Sequence, residues 1–338
     1  MRPHRFRFRA AVLAAATLVA CDNAGEERVL SISATGVVNA FVYMDANGNR
    51  QFNTGEPGLA GVQVGLIARG TTDTVARTQT NPQGTVRFAA IPVGHYVVAV
   101  DTTSFGDSVG VTQIDSTGFQ VLPADSAAVL VTVSFPQVTT AQLRALPLGE
   151  KVFIQGLVLV SNGVFGDSTV HLRDTTGSLR LTGISGVALA GDSARFLGVR
   201  AARAGQPVLN SPSLVALLGV SSPTPPSDTV TNAVARVAGG GAFAYDAALI
   251  SVLNDSIVDT LTLTAAPDSG DFRIRVFDGS DTLVVLLDQP GGSFGTLGAY
   301  APGLVITELR GLLVPTGSGT WRLKPRSPND LRCGASAC

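Results

Sequence analysis

The 338-residue chain predicts an all-β protein. Three observations carry this. Short runs rich in Val, Thr and Leu recur along the chain, and several alternate apolar with polar residues, as in Ala127-Ala-Val-Leu-Val-Thr-Val-Ser-Phe135. The 38 Gly and 18 Pro are spread without a period and punctuate these runs as turns do. Beyond the N-terminus no long stretch places apolar residues at i, i+3, i+4 and i+7, so helices have little support. The length suits about two or three domains, each able to bury its own core.

Charge narrows the function classes. Charged residues make up 14% of the chain, against roughly 25% in ordinary soluble domains. The formal net charge is −1, and lysine occurs only at Lys151 and Lys324. Such a chain lacks the basic footprint of a general nucleic-acid binder. Low charge density also suits a protein tethered to a surface, for which solubility is a weaker demand.

The N-terminus sets the compartment. Met1 to Arg9 is basic, and Ala10 to Ala20 is an apolar run of about 11 residues, suited to a signal peptide and too short to span a bilayer. Leu18-Val19-Ala20-Cys21 resembles the lipobox of bacterial lipoprotein precursors. The resemblance implies cleavage of a signal peptide at 1–20, acylation of the Cys21 thiol, and a polar tether over 21–36. An ordinary secretory signal with an incidental cysteine is the competing reading. Several acyl chains on one residue anchor stably, since each buried methylene contributes about 0.8 kcal/mol. The expected location is the outer face of the cytoplasmic membrane, or the outer membrane and cell surface, with the lipid bilayer as partner. In that oxidising compartment Cys333 and Cys338, in a Gly/Ala/Ser tail at 333–338, are candidates for a disulfide. A metal site there is disfavoured because no His accompanies them.

Residues 37–135 form the first expected module. Asp45-Ala-Asn47-Gly-Asn49-Arg-Gln51-Phe-Asn53-Thr-Gly-Glu56 is followed by Pro57-Gly58-Leu-Ala-Gly61-Val62-Gln-Val64, and later by Asn81-Pro-Gln-Gly84-Thr-Val-Arg-Phe88 and Ile91-Pro92-Val-Gly94-His-Tyr96. These motifs, in this order, resemble the SdrD B-like domain of bacterial surface proteins. The resemblance covers roughly 37–101 and implies an immunoglobulin-like or prealbumin-like sandwich. Independently, Asp45, Asn47, Asn49, Gln51, Asn53 and Glu56 fall at positions 1, 3, 5, 7, 9 and 12 of a calcium loop. Arg50 stands where glycine usually turns the loop, and only Asp45 and Glu56 carry charge. The expected affinity is therefore at the weak extracellular end, about 10⁻⁴–10⁻³ M, in a structural role. The competing reading is an Asx-rich turn without metal.

Two further modules are expected at 137–220 and 229–332, separated by the Pro/Ser-rich stretch Ser221–Asp228. Both show strands interrupted by glycine, an Asp-led hairpin and a later strand-glycine. Asp174-Thr-Thr-Gly177 corresponds to Asp278-Gly279, and Gly198 to Gly311. The order resembles the OB-fold domains of exported bacterial proteins, which bind nucleic acids or sugars through a basic, aromatic-studded face. With one Trp and four Tyr in the chain, that face is thin. Its candidates are Arg273, Arg275, Trp321, Arg322, Lys324 and Arg326, which a plain solvated sheet face would equally explain.

Nothing in the sequence points to catalysis. His4 leaves with the signal peptide, His95 falls in a turn and His171 on a strand, and no Gly-x-Ser-x-Gly, zinc spacing or phosphate loop occurs. The expectation is a non-catalytic envelope lipoprotein, a surface module for adhesion or assembly with an envelope protein or glycan as partner. The alternatives are nucleic-acid or oligosaccharide binding by the tandem barrels, nucleic acid being disfavoured, or accessory domains of an exported hydrolase.

Overall fold

The computed structural model describes residues 34–105, 109–114, 118–220, 225–237, 241–266, 268–288 and 294–338. Cys21, the signal peptide and most of the tether lie outside the described residues. No helix among the described residues is long and apolar enough to cross a membrane.

Among the described residues, eight strands build the first module: β1 (Thr35–Met44), β2 (Gln63–Ala68), β3 (Thr74–Gln79), β4 (Thr85–Pro92), β5 (Gly94–Val100), β6 (Gly110–Gln113), β7 (Phe119–Val121) and β8 (Ser126–Ser134). They form two four-stranded sheets, ordered β4-β1-β8-β6 and β3-β2-β5-β7. Alternation places Val38, Ala40 and Val42 of β1 and Val129, Val131 and Val133 of β8 inward, against Val64 and Leu66 of β2. All are at least nine-tenths buried and constitute the sandwich core. The Tyr96 hydroxyl donates to the Pro92 carbonyl at 2.7 Å and pins the β4–β5 corner.

Short β9 (Gln137–Val138) and α1 (Thr140–Ala145) lead into β10 (Lys151–Val160), β11 (Thr169–Asp174), β12 (Gly177–Thr182), β13 (Asp192–Arg203) and β14 (Gln206–Val220). The order is β11-β12-β14-β13-β10, and β10 pairs back onto β11, so the sheet closes into a five-stranded barrel. β12 and β14 run parallel, the remaining barrel pairs antiparallel. The second barrel repeats this plan. β15 (Asp228–Thr229) and α2 (Asn232–Arg236) lead into β16 (Leu249–Thr262), β17 (Phe272–Phe277), β18 (Thr282–Leu287), β19 (Val305–Pro315) and β20 (Trp321–Lys324). β16 pairs with both β17 and β19, and β18 runs parallel to β20. This sheet too closes into a five-stranded barrel.

Glycine is needed where the barrels coil tightest. A Cβ on Gly156 of β10 would lie 2.4 Å from the Arg173 carbonyl oxygen, and one on Gly311 of β19 2.7 Å from that of Lys324. A hairpin of β21 (Leu331–Cys333) and β22 (Ser336–Ala337) ends the chain. Cys333 and Cys338 are disulfide-bonded there, with Cα atoms 5.0 Å apart. The bond closes a small loop and so constrains little of the unfolded chain.

The helices show the depth of the repeat. Val138-Thr-Thr-Ala-Gln-Leu-Arg144 and Val230-Thr-Asn-Ala-Val-Ala-Arg236 superpose in role. Thr139 and Thr231 cap the helices, Leu143 and Ala235 face the cores, and the preceding residue pairs run parallel to the first barrel strand. Asp174 accepts from Thr140 N and from Thr176 and Gly177 N–H groups; Asp278 likewise accepts from Asn232, Ser280 and Asp281 N–H groups. Burial pushes the Asp278 carboxyl up, but these donors and the Ser280 hydroxyl outweigh it and hold it at about 2.

Asn232 has a second carboxylate partner, Asp255, fully buried in β16. Burial raises its pKa to about 6, with nearby Asp278 adding to the shift and the Asn232 hydrogen bond opposing it. Asp255 Oδ2 and Asn232 Oδ1 both lack a partner. An acid whose pKa is raised on folding takes up a proton in the folded state. Its stabilising contribution therefore declines as pH climbs from about 4 to about 6 and stays lost above that. Asp255→Asn mimics the protonated form. We expect it to leave stability unchanged near pH 4 and to raise it by about 2 kcal/mol above pH 7, read from urea denaturation at the two pH values.

Candidate functional site

Two places concentrate polar groups. The first is the loop between β1 and β2. Asp45 is fully buried; its Oδ1 accepts from Gly48 N at 2.7 Å and Asn49 N at 3.2 Å, and its Oδ2 from Arg50 N at 2.7 Å. Arg50 adopts φ +62°, the left-handed turn that glycine usually supplies at this position. Asn53 Oδ1 accepts from the side-chain amides of Asn47 at 2.9 Å and Asn49 at 2.7 Å. Glu56 closes the ring by accepting from Ala46 N and Asn53 N. Gln51 sits at the rim, its N–H bonded to Asn49 Oδ1. The loop is thus wound around its own side-chain oxygens, and it also abuts the first barrel. Arg195 of β13 donates to the Gly48 carbonyl at 2.7 Å and the Asn47 carbonyl at 3.3 Å, while Phe153 packs beside Gly48.

The second place is a cleft of about 480 Å³ between the barrels, lined by the outward faces of β11 and β12 on one side and of β20 on the other. His171 and Arg180 are register partners across β11 and β12. The period-2 pleat that sends Leu172 and Leu179 into the core turns these two outward. The second barrel then covers His171, leaving it 1% exposed. Burial lowers its pKa well below the ordinary value, and Arg180 and Lys324 push the same way, so the imidazole is neutral. Phe165 meets it edge-on at 6.3 Å, and the Lys324 ammonium lies 4.4 Å from the Phe165 ring centre.

The barrels are locked together beside this cleft. Leu159, Val160 and Phe165 pack on Leu249, Leu312 and Val314 as a small apolar cluster. Asp246, 2% exposed, accepts from Trp321 Nε1 at 3.1 Å and pairs with Arg144 of α1 at 3.7 Å. Burial raises the Asp246 pKa against the opposing effects of Trp321, Arg144 and Arg180.

The six residues expected to form one basic face are distributed among four environments. Arg273 and Arg275 lie on the outer face of β17, both paired with Asp259. Arg322 and Lys324 line the cleft, paired with Asp268 and Asp288. Trp321 points inward, and Arg326 is clamped by Asp330 while donating to the Leu159 carbonyl across the barrel junction. Alternation and ion pairing, neither visible in a list of basic residues, break up the stripe. His171, Arg180 and Arg203, which complete the cleft, come from the other barrel, and no local motif marks them.

Among the described residues no cluster of three or more His, Cys, Asp and Glu is placed to hold a metal. Solved structures similar to this chain include the minor pilin GBS52 of Streptococcus agalactiae, at 15% identity over 31% of this chain and 46% of that one, with a TM-score of 0.24. The shaft pilin SpaA of Lactobacillus rhamnosus GG matches at 11% identity over 56% of this chain and 100% of that one, with a TM-score of 0.24. The RrgB pilus protein of Streptococcus pneumoniae matches at 10% identity over 41% and 35% of the two chains, also at 0.24. The chain thus spans about half the length of GBS52 and about a third of RrgB. No curated protein matches it. Among protein families, residues 36–142, the sandwich and its exit into the first barrel, match the SdrD B-like domain.

Proposed function

We propose that the chain is a non-catalytic module of the bacterial cell envelope, anchored through an acylated Cys21 and presenting three joined β-domains outward for adhesion or assembly. The SdrD B-like match at 36–142 carries this reading, because domains of this kind belong to bacterial surface proteins. The joints support it. Arg195 ties the first barrel to the sandwich, and the Leu159–Val314 cluster with Asp246 ties the barrels to each other. Expression with its own leader in a bacterial host tests the anchor. Mass spectrometry of the mature N-terminus is expected to find acyl groups on Cys21, and Cys21→Ser to move the protein from the membrane to the soluble fraction. A mature chain with an unmodified Cys21 thiol overturns the anchor.

Calcium in the 45–56 loop belongs to the same reading. The observation favouring it is the backbone: Asp45 gathers three successive N–H groups and Arg50 takes the left-handed turn, the wrapping a twelve-residue calcium loop needs. Asp45, Asn47, Asn49, the Gln51 carbonyl, Asn53 and Glu56 would hold the ion. Millimolar calcium is expected to raise the melting temperature in calorimetry, and Glu56→Ala to abolish that rise. Equal melting with and without calcium refutes the site.

A further inference from the structure

We infer that the cleft between the barrels is a binding site for a small organic anion, a carboxylate or phosphoryl compound, with His171, Arg180, Arg203 and Arg322 as its hydrogen-bond donors. This goes beyond the envelope reading and does not depend on it. The cleft volume of about 480 Å³ falls within the roughly 300–1,000 Å³ of small-molecule sites.

The chemistry follows from which groups are already satisfied. On the acceptor side, Asp268 is bonded to Arg322 Nη1 at 2.8 Å and Asp288 to the Lys324 ammonium. Asp167 accepts from the Thr169 N–H and hydroxyl, and Asp271, the fourth carboxylate lining the cleft, is also engaged. On the donor side, groups are left over. His171 is 99% buried with neither ring nitrogen partnered, one of the two being an N–H donor and the other an acceptor, and the buried Nε of Arg322 also lacks a partner. Arg180 and Arg203 form no ion pair among the described residues; Arg180 donates only to the Arg203 carbonyl. A neutral imidazole has one N–H to give. Buried donors without partners are costly, each by about 1–3 kcal/mol, and the cost is larger for charged groups.

A ligand rich in acceptors relieves these donors together, and two guanidiniums outside any close ion pair, Arg180 being drawn only at longer range by Asp246 and Asp167, favour one that carries negative charge. A neutral sugar is served less well, since its hydroxyls need acceptors and the carboxylates of the cleft are engaged. An extended nucleic acid is served worse still. The second barrel roofs the β11–β12 face, and Arg273 and Arg275 outside it are neutralised by Asp259.

NMR of the histidine side chains in the full mature chain tests this. His95, exposed in β5, serves as an internal control for non-specific effects. Inorganic phosphate and malonate are titrated separately, with ionic strength held constant by chloride. The expected result is a saturable shift of the His171 ring resonances with at least one of the two anions, while those of His95 stay put. Arg180→Met keeps the aliphatic stem and removes the charge, and is expected to weaken binding by about tenfold or more, as loss of one charge-assisted bond does. Arg203→Met, at the exposed rim, is expected to act in the same direction and guards against a misfolded Arg180 variant. Saturation by phosphate alone identifies a phosphoryl ligand, and by malonate alone a carboxylate. The inference falls if His171 moves no more than His95 with either anion, or if both variants bind as tightly as the parent.

Discussion

Asp246→Ala is expected to lower the stability of the barrel pair by about 3 kcal/mol or more. Asp246 is buried and serves two partners from different parts of the chain, the Trp321 indole and the Arg144 guanidinium. Removing one member of a buried ionic group strands the others: Arg144 loses its carboxylate and the Trp321 N–H its acceptor. Arg144 Nη1 already lacks a hydrogen-bond partner, so little compensation is at hand. Asp246→Asn can keep the Trp321 bond and should cost less. Trp321 is the only tryptophan of the chain, so its fluorescence reports unfolding at this junction. A urea midpoint unchanged within error in Asp246→Ala would show that the junction does not need the carboxylate. Because several domains are present, the local probe is preferable to a global two-state fit.

The second large effect is expected at Gly84. Its backbone has φ +77°, and a Cβ there would lie 2.4 Å from the Val42 carbonyl oxygen and 2.6 Å from Gly58 Cα. Gly58 faces it reciprocally, since a Cβ on Gly58 would lie 2.0 Å from the Gln83 carbonyl oxygen. The two glycines meet back to back where Val42 N donates to Gly84 O and Leu59 N to Val42 O. Gly84→Ala combines a left-handed conformation with backbone overlap, and we expect a loss of about 3 kcal/mol, at the upper end of overpacking. Gly55→Ala, at φ +99° with open space around the Cβ, carries the conformational strain alone and should lose less. Equal losses in thermal melts would mean that the close approach is not what requires glycine.

Much of the architecture was legible in the sequence for physical reasons. Alternating burial is written directly into runs such as Ala127–Phe135, and the glycines and Asp-led turns mark where strands must end or bend. The two motifs of the first module contribute Gly58 and Gly84, and the structure shows that these glycines touch. Other features were present but weak. The second Val-Thr-x-Ala helix, at 230–236, is too short for helical periodicity to show, and only comparison with 138–144 reveals it. The inter-barrel cleft could not be read at all. His171 and Lys324 lie far apart in the chain, and their meeting depends on how one closed barrel seats on another. The ion pairs of Arg273, Arg275 and Arg322 are likewise cross-strand or loop-to-strand contacts, which strand register and loop placement decide.

The first and last strands of the sandwich, β1 and β8, lie side by side and parallel, from Val37 opposite Ser126 to Met44 opposite Val133. The chain therefore enters the sandwich at one end of this pair and leaves toward the barrels at the other. A tensile load between the N-terminal end of β1 and the barrels acts along these strands, in shear. All the rungs between them must then yield together, where an antiparallel hairpin pulled from its open end would unzip one rung at a time. The topology favours a link that resists pulling.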